Sequence, residues 1–186
     1  MGNLTLILGG ARSGKSEHAV RLANELSENV LYIATAQPLD EEMASRIELH
    51  KRTRPSNWKT IEIPKHIQRS ISKLIESVDV VILDCLTLLV SNILMTIPDH
   101  EHPDDDLARE LISNDINDLV SYIQSNRASW IIVSNEVGLG LVPAYPLGRV
   151  YRDQLGWANK YIADKADEVL LMVAGLPMNV KPINKD

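Results

Sequence analysis

The stretch Gly9-Gly10-Ala11-Arg12-Ser13-Gly14-Lys15-Ser16 fills every fixed position of G-x-x-x-x-G-K-[ST], the phosphate-binding P-loop. The apolar run Leu4–Leu8 precedes it and a helix-compatible segment, Glu17 to Leu26, follows, so the loop has the strand-loop-helix setting that it needs. Because glycines let successive N–H groups point at one phosphate, a chance Gly-rich turn is disfavoured. We expect Lys15 to reach the β- and γ-phosphates and the Ser16 hydroxyl to ligate Mg²⁺.

Composition limits the class of protein. The chain has 186 residues, 45% of them hydrophobic, and no phenylalanine, which predicts one P-loop domain over residues 1–186 with a core of Leu, Ile and Val. The net charge of −6 argues against nucleic acid as the main partner. The single Cys85 fits a reducing compartment, and neither a signal segment nor a membrane-length apolar run is present. These features predict a soluble, cytoplasmic protein.

Short apolar runs alternate with segments of helical period, which predicts βαβ units and a mostly parallel sheet covered on both faces. The predicted strands are Leu4–Leu8, Val30–Ala34, Lys59–Ile63, Val78–Asp84, Trp130–Ser134 and Val169–Val173. The predicted helices are Lys15–Leu26, Asp40–Lys51, Lys65–Ser77, Leu86–Leu94, Leu107–Asn126 and Leu147–Ala166. The polar tail after Pro177 is expected to fray. Ligands of such sheets bind at the carboxyl ends of the strands.

A second motif supports the first. Val80-Val81-Ile82-Leu83-Asp84 is a buried-type strand that ends in a carboxylate, the Walker B pattern, in which the Asp holds Mg²⁺ directly or through water. A capping Asp is the alternative, and the P-loop upstream favours the metal role. Lys15 is expected to be an exposed loop residue without a packing role.

A cationic cluster follows the second predicted strand. Arg46 and His50 are four residues apart on one helix face, and Lys51, Arg52 and Arg54 come directly after. The pattern alone fits an anion pocket and a basic helix end that complements the helix dipole equally well. A neutral imidazole is a competent nucleophile toward phosphorus at neutral pH.

Three other segments have weaker signals. The acidic stretch Asp99 to Asp106 contains His-x-His, so a metal site is one interpretation, but a solvated loop that caps the next helix is favoured. Ser134 to Gly140 follows the fifth strand, which suggests a loop near the ligand. Asp153-Gln154-Leu155-Gly156 matches D-x-x-G of regulatory GTPases, but it lies within a helical pattern and is treated as chance. His18 and His66 have no partner that the sequence indicates.

Several segments together resemble one family, the bifunctional adenosylcobinamide kinase / adenosylcobinamide-phosphate guanylyltransferases of cobalamin biosynthesis. The resemblance covers essentially the whole chain. It is carried by the P-loop with its Ala-Arg, Tyr32-Ile33-Ala34-Thr35-Ala36, Arg46-Ile47 with His50, Arg54-Pro55, Trp58 and Glu62, Ser134 to Gly138 with Val142-Pro143, Tyr151-Arg152-Asp153 with Gly156 and Asn159, and Gly175-Leu176-Pro177.

The resemblance implies a RecA-like P-loop fold, a homotrimer, and two reactions with GTP and ATP as substrates. A nucleoside triphosphate phosphorylates adenosylcobinamide, and GMP then passes from GTP through an enzyme histidine to the phosphorylated corrinoid. By this resemblance the guanylylated residue is His50. The implied nucleotide contacts are Gly9, Gly10, Ala11, Arg12, Ser13, Gly14, Lys15, Ser16, Ala34, Thr35, Ala36, Lys51, Arg52, Thr53, Arg54, Glu62 and Asp84.

Two alternatives remain at the level of sequence. A single-function metabolite kinase would leave His50 structural, and no GMP would become bound to the protein. A P-loop switch or motor subunit is a second alternative, against which stand the acidic charge and the absence of an Asn-Lys-x-Asp guanine motif.

Overall fold

The computed structural model describes residues 2–38, 40–52 and 54–182; in the second helix, the side chains of Glu42, Arg46, His50 and Arg52 are not described. In these ranges the chain forms strands β1 (Leu4–Gly9), β2 (Val30–Ala34), β3 (Lys59–Glu62), β4 (Val80–Asp84), β5 (Ser129–Val133), β6 (Glu168–Val173) and β7 (Leu176–Lys181). The helices are α1 (Lys15–Leu26), α2 (Glu41–Arg52), α3 (Ile67–Ile75), α4 (Leu86–Leu94), α5 (Asp105–Ser125) and α6 (Pro146–Lys165).

All seven strands form one sheet in the order β3-β2-β4-β5-β1-β6-β7. The first six are parallel to one another, because each is reached through a helical crossover, and β7 is antiparallel to β6. The strand that leads into the P-loop, β1, and the strand that ends in Asp84, β4, are separated by β5. This is the α/β arrangement of RecA-like P-loop proteins, so the predicted fold class is confirmed.

Apolar side chains cover both faces of the sheet. On one face, Ala19 and Ala23 of α1 pack over Ile7, Ile82 and neighbouring strand residues. On the other, apolar residues of α3, α4, α5 and α6 form the larger cluster. In α3, for example, Ile67, Ile71 and Ile75 recur every four residues and are buried, as an amphipathic helix requires. The result is a three-layer sandwich whose core consists mainly of Leu, Ile and Val, as composition predicted.

The expectation that the tail after Pro177 frays is wrong for the residues that the structure describes. Residues Leu176–Lys181 do not fray but form β7, paired with β6. The turn between them is the two-residue loop Ala174-Gly175, with φ of 51° and 83°, as expected of a tight hairpin whose twist matches its strands. Alanine in place of the usual asparagine or aspartate at the first turn position is why the sequence signal was weak.

The bounds of α1 and α4 are as predicted, and those of the other four helices differ from the predicted ones by one or two residues. His66 has φ 54°, which stops α3 from starting at Lys65. The Asp104 carboxylate accepts hydrogen bonds from the N–H groups of Asp106 and Leu107, both at 3.0 Å, so α5 starts at Asp105. The acidic stretch therefore caps this helix, as favoured. Among the described residues, no helix has both the length and the apolar character needed to cross a bilayer.

Candidate active site

The P-loop has the backbone shape of a phosphate cradle. Gly9 and Gly14 have φ of 153° and 89°, and Arg12 between them has φ 55°. A Cβ at Gly9 would lie 2.6 Å from Ser13 Oγ and 2.7 Å from the Met172 carbonyl, so only glycine fits there. Because α1 begins at Lys15, directly after the loop, its first N–H groups face the same space. The local geometry suits an anion held by main-chain donors.

Lys15 differs from its expected environment. It is the first residue of α1 and is only 8% exposed, so the expectation of an exposed loop lysine is wrong. Its Nζ donates a hydrogen bond to the Gly10 carbonyl at 2.6 Å, which holds the ammonium across the loop. Burial lowers the pKa of Lys15, and the nearby Cys85 and Asp84 partly oppose that shift. An anion bound in the loop would take over the ammonium from Gly10.

Asp84 lies at the carboxyl end of β4 and is held from one side. The buried Tyr32 of β2 donates its phenolic hydrogen to Asp84 Oδ2. Burial, and next the neighbouring Asp84 charge, raise the pKa of Tyr32, so the phenol stays protonated and remains a donor. Within the described part of the chain, neither Asp84 Oδ1 nor the half-buried Ser16 hydroxyl makes a hydrogen bond. Both oxygens are therefore available to a further ligand.

The segment after β2 combines buried and partly exposed residues. Ala34 is buried and Ala36 is half-buried. Thr35 is completely buried, and its Oγ1 donates to the Cys85 carbonyl at 2.7 Å and accepts from the Cys85 N–H at 2.9 Å. These two bonds fix the backbone directly after Asp84. The nucleotide contact at Thr35 that the resemblance implies stays a prediction, and the Thr35 hydroxyl is engaged with Cys85 in this structure.

A second polar region lies beside β2 and β3. Lys51 Nζ and Glu62 Oε1 are 2.6 Å apart, which places the last turn of α2 at the carboxyl end of β3. The Arg54 guanidinium lies 3.8 Å above the ring centroid of Tyr32, and its buried Nε and Nη1 find no hydrogen-bond partner among the described residues. A cavity of about 700 Å³ opens here. Its lining consists of Lys51, Arg54, Pro55, Ser56, Trp58, Thr60 and Glu62.

The loop after β5 contacts the P-loop from a third side. The Glu136 N–H donates to the Gly9 carbonyl at 3.0 Å. Ser134 Oγ donates to Asn159 Oδ1 at 2.7 Å, and the Asn159 amide donates to the Asn135 carbonyl at 3.1 Å. The expectation that this loop lies near the ligand agrees with its contact to Gly9.

This chain is similar in sequence to one family of known proteins. The family CobU, described as cobinamide kinase / cobinamide phosphate guanyltransferase, matches residues 5–180. This chain belongs to that family. The bifunctional adenosylcobalamin biosynthesis protein CobU of Escherichia coli K12 is 41% identical over 181 residues, which are 96% of this chain and 99% of that protein. The corresponding protein CobP of Pseudomonas aeruginosa is 43% identical over 176 residues, which cover 95% and 96% of the two chains.

One solved structure agrees with this chain at the level of the fold. A Pyrococcus horikoshii OT3 protein, solved as project PH0250, is 11% identical to this chain and superposes on it with a TM-score of 0.57. The superposition covers 99% of this chain and 88% of that protein. The RadB recombinase is 16% identical over 91% of this chain and 74% of its own, with a TM-score of 0.49.

The structure brings most residues that the sequence singled out to the carboxyl edge of the sheet. The P-loop lies at the end of β1, Asp84 at the end of β4, Ala34 at the end of β2, and Glu62 at the end of β3. Gly10, Ala11 and Arg12 are exposed there. His50 and Arg52 lie in the last turn of α2, whose backbone is described although these side chains are not. Thr53 lies outside the described residues.

Sequence reasoning assigned no role to Tyr32 or Trp58. Tyr32 connects Asp84 to Arg54, and Trp58 lines the cavity with a buried Nε1 for which the described part of the chain offers no hydrogen-bond partner. A signal for Tyr32 does exist, since a tyrosine inside the apolar run Val30–Ala34 must find a partner for its hydroxyl when buried. Its partner follows 52 positions later in sequence, which no local pattern could show.

Proposed function

We propose that this protein phosphorylates the aminopropanol hydroxyl of adenosylcobinamide with a nucleoside triphosphate and then transfers GMP from GTP to the phosphorylated corrinoid. Membership of the cobinamide kinase / cobinamide phosphate guanyltransferase family supports both reactions. The names of the relatives from E. coli and P. aeruginosa, which describe bifunctional adenosylcobalamin biosynthesis proteins, support the same pathway. The substrates are then GTP or ATP and the corrinoid.

In the kinase step, the P-loop residues Gly9 to Ser16 hold the β- and γ-phosphates. Phosphoryl transfer requires charge neutralisation and positioning more than covalent help from the protein. Lys15, already held across the loop by Gly10, supplies a positive charge, and the N–H groups at the start of α1 supply hydrogen bonds. The substrate hydroxyl attacks the γ-phosphorus, the bond to the β-phosphate oxygen breaks, the nucleoside diphosphate leaves, and the proton of the hydroxyl passes to solvent.

The donor set at this edge fits Mg²⁺. Ser16 and Asp84 offer oxygen ligands, and a magnesium ion in nucleotide sites is commonly held by one or two such groups together with phosphates and water. Among the described residues, no cluster of three or more His, Cys, Asp or Glu forms a complete metal cage, and such a phosphate-bound ion needs none. When bound, the ion would stabilise the negative charge that develops during transfer.

In the guanylyltransferase step, we assign the nucleophile to His50. An imidazole nitrogen attacks the α-phosphorus of GTP, pyrophosphate leaves, and the imidazole carries GMP. A phosphate oxygen of the corrinoid then attacks the same phosphorus, the P–N bond breaks, and the imidazole is regenerated. Splitting one displacement into two in this way requires a histidine near the nucleotide, which the position of α2 supports.

The cavity beside β3 provides groups for the GMP moiety. The Nε and Nη1 of Arg54, which have no partner within the described ranges, are the donors that a phosphate would satisfy. The Glu62 carboxylate is of the type that accepts hydrogen bonds from a guanine edge, provided that it exchanges its ion pair with Lys51. Arg52 and Thr53 remain candidate contacts by the resemblance alone.

One observation carries the proposal of a histidine intermediate. The Lys51–Glu62 ion pair brings the last turn of α2, which contains residue 50, to the same sheet edge as the P-loop. Had α2 run along the face of the sheet to its amino edge, as crossover helices usually do, residue 50 would be remote from any nucleotide held by Lys15.

The test is incubation with α-labelled GTP and Mg²⁺. Wild type is expected to acquire label that is stable in base and labile in acid, as a P–N adduct is. His50→Asn should acquire none, yet should still phosphorylate adenosylcobinamide. His102→Asn is the matched control, because the His102 side chain is 85% exposed in the acidic loop, and it should label normally. A wild type that never labels would favour the single-function kinase, and normal GMP transfer by His50→Asn would show direct transfer.

Three further features are part of the proposal. We propose one catalytic domain over residues 1–186, a homotrimer, and a cytoplasmic location. Exposed apolar side chains in two segments, the loop after β5 and strand β7, support an assembly of several copies, because an interface would remove such surface from water. They are Leu139, Leu141, Val142, Tyr145, Leu176, Met178 and Val180. Light scattering of the purified protein tests the number of copies.

A further inference from the structure

We infer that Tyr32 is a positioning residue for both transfer steps: its hydroxyl orients Asp84 for the kinase site, and its ring holds Arg54 for the GMP site. The inference depends on the proposed function for what the two sites bind. The contacts themselves depend only on the described structure. No motif in the sequence assigns this residue a role.

The first observation is the rigidity of the ring. Tyr32 is 1% exposed and is, with Trp130, among the largest fully buried side chains. It belongs to the cluster on the α1 face of the sheet, together with Ile82, Val133 and Trp58. A close-packed interior restricts such a ring to one rotamer. Tyr32 can therefore serve as a fixed reference for the more exposed groups around it.

The second observation concerns Asp84. Tyr32 supplies the hydrogen bond to Oδ2, and within the described residues no other side chain donates to this carboxylate. A carboxylate at a strand end rotates freely unless one oxygen is fixed. With Oδ2 bound to the phenol, Oδ1 is the oxygen directed to a ligand. The phenol thereby sets the orientation in which Asp84 meets Mg²⁺.

The third observation concerns Arg54. Its guanidinium lies 3.8 Å from the ring centroid of Tyr32, while its Nε and Nη1 have no partner among the described residues. The ring is therefore the contact that keeps this cation at the cavity before a phosphate arrives. Stacking leaves the edge N–H groups free, so Arg54 is held without using the donors that would bind an anion.

The two contacts reinforce each other. A phenol that donates to a carboxylate gains electron density in its ring, and a more electron-rich face attracts a cation more strongly. Asp84 at the hydroxyl and Arg54 at the face therefore form one charge-balanced array. A change at Asp84 or at Arg54 therefore affects the other residue through the Tyr32 side chain.

Two substitutions separate the two contacts. Tyr32→Phe keeps the ring and its volume and removes only the hydrogen bond. Tyr32→Leu removes both contacts. Val80→Ala is the control for a loss of buried volume. Val80 is 2% exposed and belongs to the same core cluster as Tyr32, but it lies at the amino end of β4, away from Asp84. Thermal unfolding of each variant verifies that it is folded at the temperature used.

Two calorimetric affinities provide readouts that do not depend on turnover. The first is the gain in affinity for a non-hydrolysable GTP analogue when Mg²⁺ is added. The second is the affinity for GMP alone. Tyr32→Phe is expected to lose about tenfold in the first, the magnitude of one hydrogen bond to a charged group, and less than about threefold in the second. Tyr32→Leu is expected to lose about tenfold in both. Val80→Ala should change neither.

Three results would overturn the inference: an unchanged magnesium gain in Tyr32→Phe, a GMP affinity of Tyr32→Leu equal to that of wild type, or equal losses in Val80→Ala. Failure of the proposed function gives a different pattern, because wild type itself would then bind no GMP or gain nothing from Mg²⁺. The two kinds of failure are thus distinguished in the wild-type titrations.

Discussion

Thr35→Val tests whether the segment after β2 acts on the nucleotide or on the protein. Valine has nearly the same shape as threonine but no hydroxyl. In the structure that hydroxyl accepts from the Cys85 N–H and donates to the Cys85 carbonyl. The change therefore removes two hydrogen bonds in a completely buried position without creating a cavity.

The size of the effect follows from what each Cys85 group retains. The Cys85 carbonyl keeps a hydrogen bond from the Leu89 N–H at 3.2 Å, so it loses one of two partners. The Cys85 N–H loses the only partner that the described residues offer it. An orphaned buried donor costs about 1–3 kcal/mol and an ordinary hydrogen bond about 1 kcal/mol, so we expect a loss of roughly 2–4 kcal/mol. For a chain of this size that lowers Tm by roughly 4–16 °C.

Differential scanning calorimetry measures the change in Tm, and titration with Mg²⁺-free GTP measures the nucleotide affinity. Leaving out Mg²⁺ prevents a displaced Asp84 from affecting the titration. We expect the affinity to stay within about threefold of wild type. Thr35→Ser, which keeps both hydrogen bonds and loses one methyl group, should cost only about 1 kcal/mol. An unchanged Tm together with a tenfold loss of affinity would refute this reasoning and make Thr35 a direct nucleotide contact.

Two other changes test the phosphate site. Lys15→Ala should reduce both activities by orders of magnitude because the ammonium that neutralises the phosphates is lost, and steady-state assays of each half-reaction measure this; near-normal turnover would refute the P-loop assignment. Because burial lowers the pKa of Lys15, the nucleotide affinity of wild type should fall as the pH rises through that lowered pKa. The free energy of unfolding should increase with pH between the lowered pKa and 10.5, because in this range the unfolded chain binds more protons than the folded one. Asp84→Asn should lower magnesium-dependent turnover by about 100-fold or more, and an unchanged Mg²⁺ titration would make Asp84 only a capping residue.

Sequence patterns predicted the elements that depend on local order. The P-loop, the alternation of strands and helices, and the strand that ends in Asp84 are all encoded in contiguous residues, and the sheet confirms them. The end of β1 and the start of α1 also follow from the motif itself. Such features are predictable because each depends on backbone conformation and side-chain periodicity within one segment.

Other features depend on residues that are distant in sequence. The pairing of Tyr32 with Asp84 and of Thr35 with Cys85 could not be predicted, because both arise only when β2 and β4 become neighbours. The contact of Arg54 with the Tyr32 ring arises only when the segment between α2 and β3 folds onto β2. The same holds for Asp115 of α5, which is buried and lies 3.0 Å from His66 Nδ1. Strand β7 was missed because Pro177 within it and the polar residues after Val180 favoured a frayed tail, although Leu176, Met178 and Val180 alternate along the strand.

The strand order also constrains how one nucleotide could serve both proposed reactions. The P-loop at β1 and Glu62 at β3 are separated by four inter-strand spacings of roughly 4.8 Å, about 19 Å in the plane of the sheet. A GTP with its γ-phosphate in the P-loop and its guanine at Glu62 must therefore lie across the carboxyl ends of β4 and β2. Its α-phosphate would then lie between Lys15 and the Arg54 guanidinium, above Asp84 and Tyr32. In that pose, in-line displacement requires the nucleophile to approach the α-phosphorus from the side opposite to the departing pyrophosphate, which is the side of β3 and of the backbone of the last turn of α2.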